Sequence, residues 1–193
     1  MGAIILDKFA NGWIDRPVAK TEFKDKKKEA HIRSELEKVF SKERAEQILY
    51  HIKWEELEET TRTGLRFQDA VIDATYYPFE ENERNQKNER RVGLGFMGIH
   101  DIMLYCGVRY GSEESVAFIN VLGGMIAEWT YLESVELAKE NGPFPLYDRD
   151  QFLASGYMKQ MANLKPHVVE EIKKHGVRNV TTMTIAPTGT TGK

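Results

Sequence analysis

The chain has 193 residues, 41% of them apolar and 30% charged, with a net charge of −3. That is enough for one good-sized domain with a real core, and the slight acidity gives no reason to expect nucleic acid or an anionic membrane as the main partner. No apolar run approaches the roughly 20 residues that cross a bilayer, and MGAIILDKF is too short and too soon charged for a signal peptide, so a cytoplasmic protein is expected.

In chain order, residues 3–6 (AIIL) form a short β-prone run. The charged stretch that follows carries Ala30, Leu36, Val39, Phe40, Ala45, Ile48, Leu49 and Ile52 at mixed three- and four-residue steps. This pattern predicts two amphipathic helices, with Ser41 as the cap between them. A further helix is predicted from about Trp54 to Thr75, with Leu57, Leu65, Phe67, Val71 and Ile72 turned inward, ending before Tyr77-Pro78. Residues 80–91 (EENERNQKNERR) are too polar to bury and read as a surface loop. From Val92 the chain turns apolar, and Gly93, Gly95 and Gly98 permit a tight approach before a buried helix that ends at Gly107. Ser112 caps the longest helix, which stops at Asn141-Gly142-Pro143. Its interior Gly123-Gly124 calls for compensation by close packing. Shorter helices are predicted at about 149–162 and 166–175, and the β-branched run 179–186 is the best strand in the chain.

Candidate chemistry begins at the C-terminal TIAPTGTTGK. A P-loop needs glycine, four residues, then Gly-Lys-Ser/Thr opening a helix. Counting back from Gly192-Lys193 puts Pro187 where that glycine must stand, and no Ser or Thr follows the lysine. The P-loop reading fails. The stretch still suits an anion, because Thr188, Thr190 and Thr191 surround Gly189 just after a strand. A turn that merely caps the strand is the plainer alternative. The one cysteine, Cys106, excludes a disulfide framework. The histidines (His31, His51, His100, His167 and His175) show no ligand spacing, so no metal site is expected.

Several collinear motifs carry a family resemblance. NVTTMTIAPTGT resembles the strand and phosphate-binding turn of the ribonucleotide reductase large subunit, most closely its adenosylcobalamin-dependent (class II) branch. GAIILDKF is similar to the segment that follows an active-site cysteine in that family. WEELEETTRTGLRFQDAVIDATYYP resembles the helix usually written F-L-D-N-V-I-D with its Tyr-Pro, and RRVGLGFMGIHDIMLYCGVRYGSEES resembles the Arg-Arg-Ile-Gly-Leu-Gly-Val-Met-Gly segment. Gln68 and Ala70 depart from the usual Leu and Asn, and Thr191-Gly192 stands where Ile-Ser is common.

The resemblance implies an α/β fold, the ten-stranded α/β barrel of the family, of which this segment is mainly helical with a few short strands. It further implies that Pro187, Thr188, Gly189, Thr190 and Thr191 bind the phosphates of a ribonucleoside di- or triphosphate. The whole enzyme would use adenosylcobalamin, which this segment is not expected to bind, and a thioredoxin-type reductant; a di-iron class I relative stays open. The family's thiyl-radical chemistry needs at least three cysteines. Cys106 falls where the family has no catalytic cysteine, so no catalytic residue is expected here, and Gly93, Gly95 and Gly98 are expected to shape the barrel wall. The ends fall within active-site motifs, so residues 1–193 are expected to be a single partial domain, an interior fragment acting with the remaining reductase segments. The charged stretch 17–50 is a candidate helical insertion. Two other readings remain: a non-catalytic helical interaction module, and a generic nucleotide-binding protein using the C-terminal turn.

Overall fold

The computed structural model describes residues 2–15 and 20–186. Strand β1 (Gly2–Ile5) leads into a 3-10 turn at Leu6–Phe9. Helices α1 (Lys26–Glu37) and α2 (Lys42–His51) follow, then α3 (Trp54–Ala74) and α4 (Glu80–Glu89). Strand β2 (Leu94–Met97) pairs with β1 in a two-stranded sheet. The rest of the chain is α5 (Ile99–Tyr105), α6 (Glu113–Asn141), α7 (Arg149–Ala154), α8 (Gly156–Leu164) and α9 (Pro166–His175).

The helix ends follow local chemistry. The Asp25 carboxylate accepts from the Lys27 amide at 2.8 Å to open α1, and the Ser41 hydroxyl accepts from Arg44 to open α2, where the cap was expected. Pro166 occupies the first turn of α9, and Gly176 closes it at φ 74, a left-handed value suited to glycine. Ser112 Oγ accepts from the Ser115 amide at the start of α6.

The described residues fall into two compact units. One comprises residues 3–15, 20–60 and 96–126. Its buried side chains include Leu6, Ile32, Leu36, Ile48, Leu49, Trp54, Met103 and Cys106. An antiparallel bridge joins Ala10 to Ile52, and Arg44 donates to the Glu114 carboxylate at 2.6 Å and to the Cys106 carbonyl at 2.8 Å. The other unit comprises Gly2 and residues 61–95 and 127–186. Its core is built from Tyr131, Val135, Phe144, Met158, Val168, Val169, Ile172 and Val177.

Several expectations are corrected. Residues 80–89 are helix rather than loop: α4 buries nothing, but Glu80, Glu81 and Glu83 sit in its first turn and Lys87 pairs with Glu83 one turn on. The predicted helix at 149–162 is two helices, divided at Ser155, whose hydroxyl caps the second. Residues 94–97, expected only as a glycine-rich approach, form β2. The run 179–186 carries a parallel bridge between Met183 and Leu94 rather than a full strand. Phe67 and Val71 point outward, 68% and 42% exposed. A side chain at Gly123 would meet nothing within 4 Å, so no close packing explains that glycine. Finally, α6 is long and apolar enough by length and composition to cross a membrane, contrary to the expectation, but 61% of its most apolar window is buried, as in a core helix.

Candidate functional site

The expected phosphate residues, Pro187, Thr188, Gly189, Thr190 and Thr191, lie outside the described residues. What the structure describes is the strand-like run that leads into them, and how it is anchored.

That run lies alongside β2. The Val92 amide donates to the Thr181 carbonyl at 3.3 Å, Leu94 to Thr182 at 3.0 Å, and Thr184 back to Leu94 at 3.3 Å. Thr182 is 1% exposed, and its hydroxyl meets that of Thr130 on α6 at 3.2 Å. Gly95 is a glycine for a steric reason: a Cβ there would stand 2.7 Å from the Thr184 carbonyl oxygen. On the other side of β2, the Gly2 amide donates to the Gly93 carbonyl at 3.3 Å. The Gly93 amide donates to Gln68 Oε1 at 3.0 Å. Gln68, one departure from the family pattern, thus caps a backbone group at the start of β2.

At the upstream end, Asn179 is fully buried among polar groups. Its Nδ2 donates to Asp69 Oδ1 at 2.8 Å and to the Arg90 carbonyl at 3.1 Å. Its amide donates to Ser134 Oγ at 3.1 Å, and that hydroxyl donates to Asn179 Oδ1 at 3.0 Å. Arg90 completes the cluster: Nε donates to Asp69 Oδ1 at 2.9 Å, while Nη1 and Nη2 fork onto the Asp73 carboxylate at 2.9 and 2.8 Å. Arg90 is left-handed at φ 48, which costs a non-glycine residue about 1 kcal/mol or more, so its side-chain bonds hold a backbone that is not intrinsically favoured. The Arg90 hydrogen bonds also hold the Asp73 carboxyl below the usual carboxylate range.

The geometry joins three of the sequence motifs. Asp69 and Asp73 are the acidic positions of FQDAVID, one helical turn apart on α3; Arg90 opens RRVGLGFMG; Asn179 opens NVTTMTIAPTGT. Sequence reasoning missed this cluster. Its signal was the Asp pair at four-residue spacing, on one helix face. Burying the ion pair of Arg90 and Asp69, whose side chains are 4% and 7% exposed, contributes little net stability. Losing one partner would strand a buried charge at a cost of about 3–5 kcal/mol.

Other ionisable groups are tied down. Glu128 meets Lys165 Nζ at 2.7 Å, and Glu133 accepts from Arg62 at 3.0 Å and from Arg66. Cys106 is fully buried, and burial pushes its thiol up to about 12, which disfavours the thiolate needed for nucleophilic or redox chemistry. The run 180–184 borders two clefts in its unit. One, about 610 Å³, is bounded by Tyr131, Phe152, Tyr157 and Thr182. The other, about 520 Å³, is bounded by Phe67, Val71, Gly93 and Thr184, and the outward side chains of α3 line it.

Among the described residues, a glycine-gapped strand, β2, lies beside an anchored extended run that is bridged to it in parallel at Met183 and Leu94. The family model described as "Ribonucleotide reductase, barrel domain" matches residues 32–193, so the chain belongs to the ribonucleotide reductase barrel-domain family. It is similar to a vitamin B12-dependent ribonucleoside-diphosphate reductase of Mycobacterium tuberculosis (strain CDC 1551 / Oshkosh), 33% identical over 139 residues, which are 72% of this chain and 17% of that one. A protein of the same description from Thermoplasma acidophilum is 33% identical over 139 residues, 72% of this chain and 16% of that one. The alpha subunit of a ribonucleoside-diphosphate reductase from Chlamydia pneumoniae is 32% identical over 157 residues, 70% of this chain and 15% of its own. The chain therefore spans 17% or less of each of these three relatives.

Proposed function

We propose that the chain is a segment of a ribonucleotide reductase catalytic subunit and that it supplies the substrate phosphate turn, Pro187–Thr191, and part of the barrel wall. The anchored run 179–186, which enters Pro-Thr-Gly-Thr-Thr directly, carries this reading. Threonine hydroxyls and backbone amides after a strand can hold a di- or triphosphate by short, charge-assisted bonds. The contribution is positioning: fixing the phosphates sets where the ribose stands relative to groups elsewhere in the enzyme. Radical generation and reduction of the sugar go with residues outside this chain, because that chemistry needs at least three cysteines and this chain has one, the buried Cys106.

Vitamin B12 is named for two of the relatives, and we assign adenosylcobalamin to the whole enzyme. The clefts of about 610 and 520 Å³ suit drug-sized molecules and are too small to enclose a corrinoid, so no step here runs through it. A thioredoxin-type reductant, a cytoplasmic location, and 1–193 as one partial domain with a charged helical insertion at 17–50 go with this reading. Part of that insertion, from residue 32, lies within the matched family region.

Titrating a ribonucleoside diphosphate while following the backbone amides of residues 186–192 tests the turn. Shifts confined to these amides support it, with weak affinity expected for this chain alone. No shift of these amides would favour a non-catalytic helical interaction module or a disassembled site.

A further inference from the structure

We infer that Asn179 is a positioning residue for the phosphate turn: locked into the Asp69–Arg90–Ser134 cluster, it sets the register of the run that delivers residues 187–191. This rests on the reading of the chain as a reductase segment. Every hydrogen-bonding group of the Asn179 side chain is used, and each partner comes from a different part of the chain: Asp69 on α3, Arg90 after α4, and Ser134 on α6. The neighbouring backbone is pinned as well, Arg178 N–H to the Ser134 carbonyl at 3.0 Å and Val180 N–H to the Glu89 carbonyl at 3.2 Å.

Only one register satisfies this cluster. A slip of one residue would offer Arg178 or Val180 to a pocket shaped for a carboxamide. It would also turn buried Thr182 away from Thr130, because successive side chains of an extended run face opposite ways. Gly95 lets the run come this close, since a Cβ there would stand 2.7 Å from the Thr184 carbonyl oxygen. A slip displaces Ala186, the last described residue of the run and the one joined to Pro187, by about 3.3 Å per residue. That exceeds the tolerance of a phosphate hydrogen bond.

Two arms test the inference. In the 193-residue chain, Asn179→Ala is expected to speed exchange of the Thr184 amide at least tenfold, with α1 amides unchanged. An unchanged Thr184, or an equal rise at every amide, would overturn it. In the reductase assembled with its remaining segments, the same substitution is expected to raise KM for the nucleotide about tenfold with kcat within twofold, the mark of lost uniform binding. The core truncation Val168→Ala serves as control and should lower stability without moving KM. A fall in kcat at constant KM, as from a smaller folded fraction, would overturn the positioning role. If the unsubstituted assembly shows no turnover, the reductase reading itself fails, and the amide arm alone then decides the register.

Discussion

Asn179 Nδ2 lies 2.8 Å from Asp69 Oδ1, a buried contact between residues 110 positions apart in the chain. Through it, the helix of FQDAVID is tied to the start of the run 179–186, together with Arg90. Removing either charged partner should be expensive. Arg90→Ala or Asp69→Ala is expected to destabilise the chain by about 3–5 kcal/mol, measured by denaturant unfolding. The double substitution should cost clearly less than the sum of the singles, because neither charge is then left alone. Additive losses would contradict a coupled cluster.

Two glycines should respond in opposite directions. Gly95→Ala places a Cβ 2.7 Å from the Thr184 carbonyl oxygen, and the forced shift should cost about 1–3 kcal/mol. Gly123→Ala meets nothing and sits inside α6, so it should stabilise by about 0.5–1 kcal/mol. Thermal unfolding of the two variants side by side checks both signs.

Much of this architecture was legible in the sequence, and the failures share a cause. Where an apolar period recurred, as at Ala45, Ile48, Leu49 and Ile52, both the helix and its cap at Ser41 were readable. Helix α4 has no apolar face, so periodicity was silent, and only the acidic first turn and the Glu83–Lys87 pair could speak for it. Phe67 and Val71 look like core on an apolar helix, yet they line a cleft. The Asn179 cluster joins polar residues 21, 89 and 110 positions apart, and no local window contains them. The motif order exposed the family, whereas the contact between motifs needed coordinates.

Acid should destabilise the chain partly through Glu29. Hydrogen bonds from Lys26 and Tyr50 hold its carboxyl at about 2, against an ordinary 4.5. A depressed folded-state pKa means the stabilisation is complete above the unfolded value and is lost as pH falls through the folded one. The stability gap between the native chain and Glu29→Gln should therefore be constant above about pH 5 and close toward pH 2. Asp73, also held low by Arg90, adds to the slope and should survive the substitution. A gap unchanged down to pH 2 would remove Glu29 from the account.

Cys106 should be inert in the native chain. With its thiol buried and raised to about 12, iodoacetamide at pH 8 is expected to leave it unmodified, and to label it on unfolding in guanidinium. Rapid labelling of the folded chain would reopen a redox or nucleophilic role.

The most direct measurement is reconstitution: the 193-residue chain combined with the remaining segments of a reductase catalytic subunit, adenosylcobalamin, a dithiol reductant and a ribonucleotide, with deoxyribonucleotide formation as the readout. No product is expected from the chain alone, product is expected from the combination, and KM should rise when Thr188 and Thr190 are replaced by valine. Turnover by the chain alone, or an unaltered KM in the Thr188→Val, Thr190→Val variant, would contradict this reading.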